Sequence, residues 1–240
     1  LACEILVEGG KIIQAATSHD LGQNFSKTLG IQFQNKEEKN DYVWQNSWGF
    51  STRSIGALIL AHGDDNGLVL PPKLAPIKLV IIPILGKNDE KILKYCLKIK
   101  DILNKVQSSF PGSVEIFDDS GKSFGWRMND AELRGIPLRI EIGPRELDEK
   151  TAMINYRLKG FDKKLAKFDG LSEKIEEMLD QIQKKMLENH RKFLTENTHE
   201  VKTYDEFKKV MKTTRGVIKA FWCERSECEA KIKEETKATT

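Results

Sequence analysis

With 240 residues, 39% hydrophobic and 31% charged, the chain has room for one large domain or two small ones and is too apolar to be disordered throughout. Its 39 Lys and Arg against 36 Asp and Glu leave a net charge of +3, so a polyanionic partner must be met by local patches, not by a basic tail. The longest apolar run, Leu79 to Leu85, contains Pro83 and falls far short of the ~18 residues of a spanning helix. Four scattered cysteines, Cys3, Cys96, Cys223 and Cys228, make no disulfide scaffold and favour a reducing, cytoplasmic setting.

The chain begins on Leu1 and enters the strand-like run Cys3-Glu4-Ile5-Leu6-Val7 at once, the expectation for a sequence that starts inside a domain. The first block, to about residue 75, is rich in Gly, Ser, Thr, His and Trp, with helical periodicity only from Ile55 to Leu60. Gln14 to Phe25 crowds polar side chains together and reads, on composition, as a solvated loop or a site-bearing one. Pro71, Pro72 and Pro76 forbid helix and suit a semi-rigid connector.

The second block opens with Lys78 to Leu85, a β-branched apolar run that predicts a strand buried on both faces. Ile92, Cys96, Ile99, Leu103 and Val106 recur at helical spacing, and Pro111-Gly112 ends that helix. Val114 to Phe117 predicts a strand, Asn129 to Leu133 a short helix closed by Gly135, and Leu138 to Ile142 and Met153 to Leu158 two alternating strands. This order implies a mixed sheet packed by helices. A long helix follows, striped by Leu171, Ile175, Met178, Ile182 and Met186. Thr203 to Glu206 fits a capping box for a helix to about Met211, and Val217 to Phe221 predicts a strand leading to Cys223.

No phosphate-loop or dinucleotide glycine signature is present, so a nucleotide must be bound another way. Arg53 sits among aromatic and small residues in Trp44 to Gly56. Its guanidinium can fork onto phosphate or stack on a purine, or serve as an ion-pair partner. His62-Gly63-Asp64-Asp65 offers a histidine and two carboxylates to a metal, although glycine with aspartates more simply makes a helix exit and turn.

Thr-Ser-His-x-Leu-Gly-x-Asn-Phe at 17–25, Asn-Ser-Trp-Gly-x-Ser-Thr-Arg at 46–53, and His62-Gly63-Asp64-Asp65 running on to Pro71-Pro72 together resemble the prolyl-tRNA synthetases of archaeal and eukaryotic type. Gly125-Trp126-Arg127, Arg134 to Arg145, and Phe221-Trp222-Cys223 with Cys228 continue the likeness along the chain. The resemblance implies an α/β and α+β multidomain architecture. Residues 1–75 would end a class II antiparallel-sheet catalytic domain, 76–170 would form a mixed-sheet α/β anticodon-binding domain with a last helix to about 194, and 195–240 would begin a small α+β C-terminal domain.

It further implies ATP-dependent activation of L-proline to prolyl-adenylate and transfer to tRNA(Pro), with Mg2+ accompanying ATP. Gln14, Thr17, Ser51 and Arg53 match ATP contacts, Arg53 being the catalytic one, and His19, Trp48 and Gly49 match the proline pocket. Lys122, Arg127, Glu132, Arg134 and Arg145 are candidates for reading the anticodon, since exposed bases are recognised by forked donors, carboxylates and stacking surfaces. Each has the plainer alternative of a solvated charged edge. The first two class II motifs, which would form a homodimer interface, have no counterpart in the sequence, so these residues alone are expected not to activate proline. Cys223 and Cys228 supply two of the four ligands a structural zinc needs. The other reading is a non-catalytic RNA-binding module that keeps only the anticodon domain.

Overall fold

The opening run forms strand β1 (Ala2–Val7) of the computed structural model, which describes residues 1–86, 89–105, 108–118 and 121–238. A 3-10 turn over Glu8–Gly10 returns the chain into the long strand β2 (Lys11–Gly22). Helix α1 (Asn24–Leu29), strands β3 (Gln32–Gln34) and β4 (Asn40–Tyr42), strand β5 (Gln45–Phe50) and helix α2 (Arg53–His62) follow. The stretch from Gln14 to Gly22 is strand, not loop, because β2 pairs antiparallel with β1 on one side and β5 on the other. The α1 helix is anchored from below: the buried Ser26 hydroxyl donates to the Val43 carbonyl at 2.7 Å, and Gln23 Nε2 to the Tyr42 carbonyl at 2.9 Å.

The β-branched run at 78–85 becomes β6 (Ile77–Pro83), followed by α3 (Asp89–Lys105), β7 (Ser113–Ile116), α4 (Phe124–Leu133), β8 (Leu138–Ile142), α5 (Pro144–Glu149), β9 (Thr151–Tyr156), β10 (Lys164–Lys167) and α6 (Leu171–Glu196). The five strands order as β10-β9-β8-β6-β7. Strand β6 runs parallel to β7 and β8, while β9 and β10 add antiparallel, giving the mixed sheet expected from the element order. Leu79 and Ile81 join α3 and α6 in one core, with Ile92, Cys96, Ile99, Ile175, Met178 and Ile182. Val80 and Ile82 point the other way, into a smaller cluster with Ala131 and Ile136 beside α4. That two-sided burial is why β6 reads as an unbroken apolar run. Val106, the last residue of the predicted α3 stripe, lies outside the described residues.

The remaining elements are β11 (Thr198–Glu200), α7 (Tyr204–Lys212), β12 (Val217–Lys219) and α8 (Ser226–Thr236), with β11 and β12 parallel. The Thr203–Glu206 capping box closes as expected: Glu206 N donates to Thr203 Oγ1, and Thr203 N to Glu206 Oε2. By packing the chain divides into two units, residues 1–61 with 193–240, and residues 62–192.

Candidate functional site

In the first unit the decisive local feature is a β-bulge. Glu4 pairs with Gln14 and Cys3 with Ala16, so Ala15 is an extra residue on β2. Side chains alternate along a strand, and one inserted residue resets that alternation. Gln14, paired with Glu4, therefore shares a face with Thr17, paired with Ala2, and with His19 two residues on. Without the bulge Gln14 would face away from both.

Strand β5 completes that face, since Thr17 lies opposite Gly49 and His19 opposite Ser47. A side chain at position 49 would place its Cβ 2.9 Å from Thr17 Oγ1, so glycine leaves room for the Thr17 hydroxyl beside β5. Trp48 pairs with Ser18 and is 79% exposed. It stands on the opposite face, which corrects the expectation of a wall shared by Trp48 and Gly49 beside His19.

The bulge is tied to α2. The Ser54 hydroxyl reaches the Ala15 carbonyl at 3.2 Å and the Ser51 carbonyl at 2.8 Å, while Ser51 Oγ accepts from the Arg53 N–H at 3.3 Å. Ser51 thus caps the helix on which Arg53 is the first residue. One serine network fixes Arg53 relative to the Gln14, Thr17 and His19 face. Ser54 and the bulge had no sequence signal, because both depend on strand register.

In the second unit a cleft of about 230 Å3 opens between the end of β7 and α4, lined by Phe117, Asp118, Trp126, Arg127, Asp130 and Arg134 among others. Ser123 caps α4, its hydroxyl accepting from the Trp126 N–H at 3.1 Å. Arg127 is buried, with 4% exposure; its Nη1 donates to the Phe117 carbonyl at 2.8 Å, and its buried Nε has no hydrogen-bond partner among the described residues. Such an orphaned donor carries a real desolvation cost. Arg134 pairs with Asp130 at 2.9 Å and lies 5.3 Å over the Phe117 ring, while the Lys122 ammonium sits 5.0 Å over Trp126.

Of the candidates, Arg127 and Arg134 line this cleft, together with Trp126 of the Gly125-Trp126-Arg127 motif, and Lys122 reaches it only through the Trp126 ring; Phe117, Asp118 and Asp130 also line it and carry no mark of that role in the sequence. Glu132 is engaged elsewhere, its carboxylate facing Arg139 at 3.5 Å and its carbonyl accepting from Arg157 Nε at 2.9 Å. Arg145, on α5, is paired with Glu149 at 3.0 Å. Neither of these two lines the cleft.

The metal reading of His62 to Asp65 gives way to an ion pair. Arg157, 8% exposed, forks onto Asp64 at 2.6 and 3.1 Å, and Lys159 adds a contact at 3.3 Å. His62 instead meets His190, ring centroids 5.9 Å apart, and burial together with that neighbour lowers its pKa. The Arg157 hydrogen bonds hold the Asp64 carboxyl well below the usual carboxylate range. A depressed folded-state pKa contributes stability that is fully present above the unfolded value of about 4 and is lost as pH falls towards the folded one. The gap in urea midpoint between the wild type and Asp64→Asn should therefore narrow steadily from pH 5 down to pH 2; a gap that stays constant over that range would contradict the pairing.

Cys223 and Cys228 lie at the start of α8. The Arg225 backbone N–H, the Cys228 thiol and the Arg225 guanidinium bring the exposed Cys223 thiol down to about 7, while contact with Cys223 raises that of Cys228. Among the described residues no three His, Cys, Asp or Glu side chains group to hold a metal. The two thiols are half of a tetrahedral zinc set, and the residues present do not complete it. No helix among the described residues is long and apolar enough to cross a membrane.

Comparison with known proteins accounts for both halves. Residues 78–178 match the anticodon binding domain family and residues 204–240 the prolyl-tRNA synthetase C-terminal family. The chain is 42% identical over 238 residues to a proline–tRNA ligase of Natranaerobius thermophilus, covering 98% of this chain and 48% of that protein. It is 46% identical over 237 residues to the one of Pelodictyon phaeoclathratiforme, again covering 98% and 48%. The solved prolyl-tRNA synthetase of Cryptosporidium parvum, complexed with L-proline and AMP, superposes with a TM-score of 0.88 at 37% identity, over 97% of this chain and 49% of that one. The chain spans about half the length of the curated relatives it matches. Along nearly its whole length, the chain is similar to prolyl-tRNA synthetases.

Proposed function

We propose that these residues form the motif 3 and tRNA-reading part of a proline–tRNA ligase, which activates L-proline with ATP and Mg2+ to prolyl-adenylate and transfers it to tRNA(Pro). The observation that carries the reading is the Ala15 bulge with its Ser54 tie, which sets Gln14, Thr17 and His19 on one face and fixes the start of the helix bearing Arg53. The relative bound to L-proline and AMP supports it.

Arg53 stabilises the developing negative charge on the α-phosphate, and Gln14 and Thr17 hold the nucleotide beside it. Ser51 reaches the nucleotide from the same cap that orients Arg53. His19 and the Gly49 backbone frame the small proline ring. Adenylation needs no covalent enzyme nucleophile, so positioning and charge stabilisation supply the rate. In the second unit Trp126 is the stacking surface for an anticodon base, Lys122 meets backbone phosphate, and Arg127 and Arg134 border the base edge.

A single substitution tests the division of labour. In the full-length enzyme Trp126→Ala is expected to raise the KM for tRNA about tenfold, since a base stacked on an aromatic ring contributes ~1–3 kcal/mol, with proline-dependent ATP–pyrophosphate exchange unchanged. Equal loss of both activities overturns the assignment, and absence of any proline-dependent exchange by the wild type overturns the ligase reading itself.

A further inference from the structure

No residue of the His62 to Pro72 motif is among those lining the cleft, yet its geometry is elaborate. Asp64 and Gly67 exchange backbone hydrogen bonds at 3.1 and 3.0 Å, making a tight turn. The segment after it runs along the C-terminal end of α4. There Leu68 N donates to the Leu133 carbonyl at 3.0 Å, and Leu70 N to the Gly135 carbonyl at 3.3 Å. Arg157 closes the arrangement from the end of β9, one edge of its guanidinium on the Glu132 carbonyl and the other forked onto Asp64.

The last carbonyls of a helix have no partner within it. In α4 the Asp130 and Ala131 carbonyls accept from the Arg134 and Ile136 N–H groups of the turn that follows, the Leu133 carbonyl is taken by this strap, and the Glu132 carbonyl is shared by the Gly135 N–H and Arg157. The same helix carries Trp126, Arg127 and Asp130, with Arg134 directly after it, all lining the cleft. Helix α4 rests on a small apolar cluster, Val80, Ile82, Ala131 and Ile136, whereas α3 and α6 share the larger core. Phe124 and Met128 of α4 pack against that cluster and Arg127 ties the middle of the helix to the Phe117 carbonyl, while polar contacts fix its two ends: the Ser123 cap at one, the strap and Arg157 at the other.

We propose that Asp64 and Arg157 are positioning residues for RNA recognition, a clamp that sets the tilt of α4 and with it the spacing of Trp126, Arg127, Asp130 and Arg134 around the cleft. The inference rests on the reading of that cleft as the RNA-binding surface. Asp64 acts through Arg157: its carboxylate holds the guanidinium flat against the Glu132 carbonyl, a geometry that the planar fork of arginine supplies and the single ammonium of lysine does not.

The test uses the full-length enzyme at a temperature where each variant is shown by circular dichroism to be folded. Asp64→Asn and Arg157→Lys are each expected to raise the KM for tRNA five- to tenfold, with kcat for aminoacylation and proline-dependent ATP–pyrophosphate exchange within twofold of wild type, and Asp64→Glu is expected to recover most of the loss. A proportional fall in exchange and charging, or a tRNA KM within twofold of wild type for both variants, overturns the clamp. Should Asp64→Asn not fold, Arg157→Lys, which keeps the charge facing Asp64, carries the test alone. Trp126→Ala separates the two levels. If it raises the tRNA KM while the clamp variants do not, only the clamp falls; if it leaves the tRNA KM unchanged, the reading of the cleft falls and the clamp with it.

Discussion

Arg53→Ala is expected to lower proline-dependent ATP–pyrophosphate exchange by the full-length enzyme about 100- to 1000-fold, the scale of losing one preorganised charge-stabilising donor, roughly 3–4 kcal/mol. The side chain is exposed at the first position of α2, and among the described residues no acid pairs with it, so its guanidinium is available to a phosphate. Its backbone is held independently, by the Ser51 cap and the Ser54 bonds to Ala15 and Ser51. The substitution should therefore leave folding within ~0.5 kcal/mol, as surface changes away from such features do. Arg53→Lys keeps the charge and loses the planar fork, so it should recover part of the rate. A loss below tenfold for Arg53→Ala, measured at saturating ATP and proline, would remove Arg53 from the reaction.

The fold was legible where burial is periodic. The run from Leu79 to Ile82 announced a strand covered on both faces, and the stripe from Leu171 to Met186 announced α6, because apolar spacing reports directly on what each residue packs against. The polar stretch from Gln14 to Asp20 announced nothing of the kind. Its strand exists because β1 and β5 satisfy its backbone from both sides, and partners distant in sequence leave no local mark. Helix α8 shows the complementary case: it has no fully buried residue, so no apolar stripe marks it, and it combines the helix preference of Glu, Lys and Ala with contacts to Tyr204 of α7 through Glu235 and Lys231. Helix α4 begins at Phe124, earlier than the predicted Asn129, because Ser123 caps it, a signal masked by Gly125 in the first turn.

The site was legible by residue type and illegible by register. Arg53, His19 and Gln14 stood out as chemistry in a segment that needs none for folding, but only the extra residue at Ala15 decides that Gln14, Thr17 and His19 share a face and Trp48 does not. The same holds for charge. Arg127 and Glu132 looked interchangeable as candidate readers of RNA, yet one is buried at the cleft with an Nε that has no hydrogen-bond partner among the described residues, and the other is held by Arg139 and Arg157. Asp64 resembled a metal ligand because its partner lies 93 residues away.

Two glycines, one in the first turn of α4 and one just after its end, make the sharpest stability prediction. Gly135 has φ +71°, and a Cβ there would lie 2.6 Å from the backbone C and O of Leu68. Alanine in the left-handed region costs ~1 kcal/mol by itself, and the overlap falls on backbone that cannot rotate away. Relief requires the strap to lift, which breaks the Leu68 to Leu133 and Leu70 to Gly135 hydrogen bonds at about 1 kcal/mol each. Gly135→Ala is thus expected to destabilise the unit 62–192 by about 3 kcal/mol, a fall of roughly 10 °C in its unfolding transition. Gly125, within α4, has open space where a Cβ would go and no positive φ. Gly125→Ala should instead stabilise by ~0.5–1 kcal/mol, the helix preference of alanine over glycine. Opposite signs for the same chemical change, ten residues apart and read in one calorimetric comparison, would locate the cost in the strap contact; similar shifts for both would refute it.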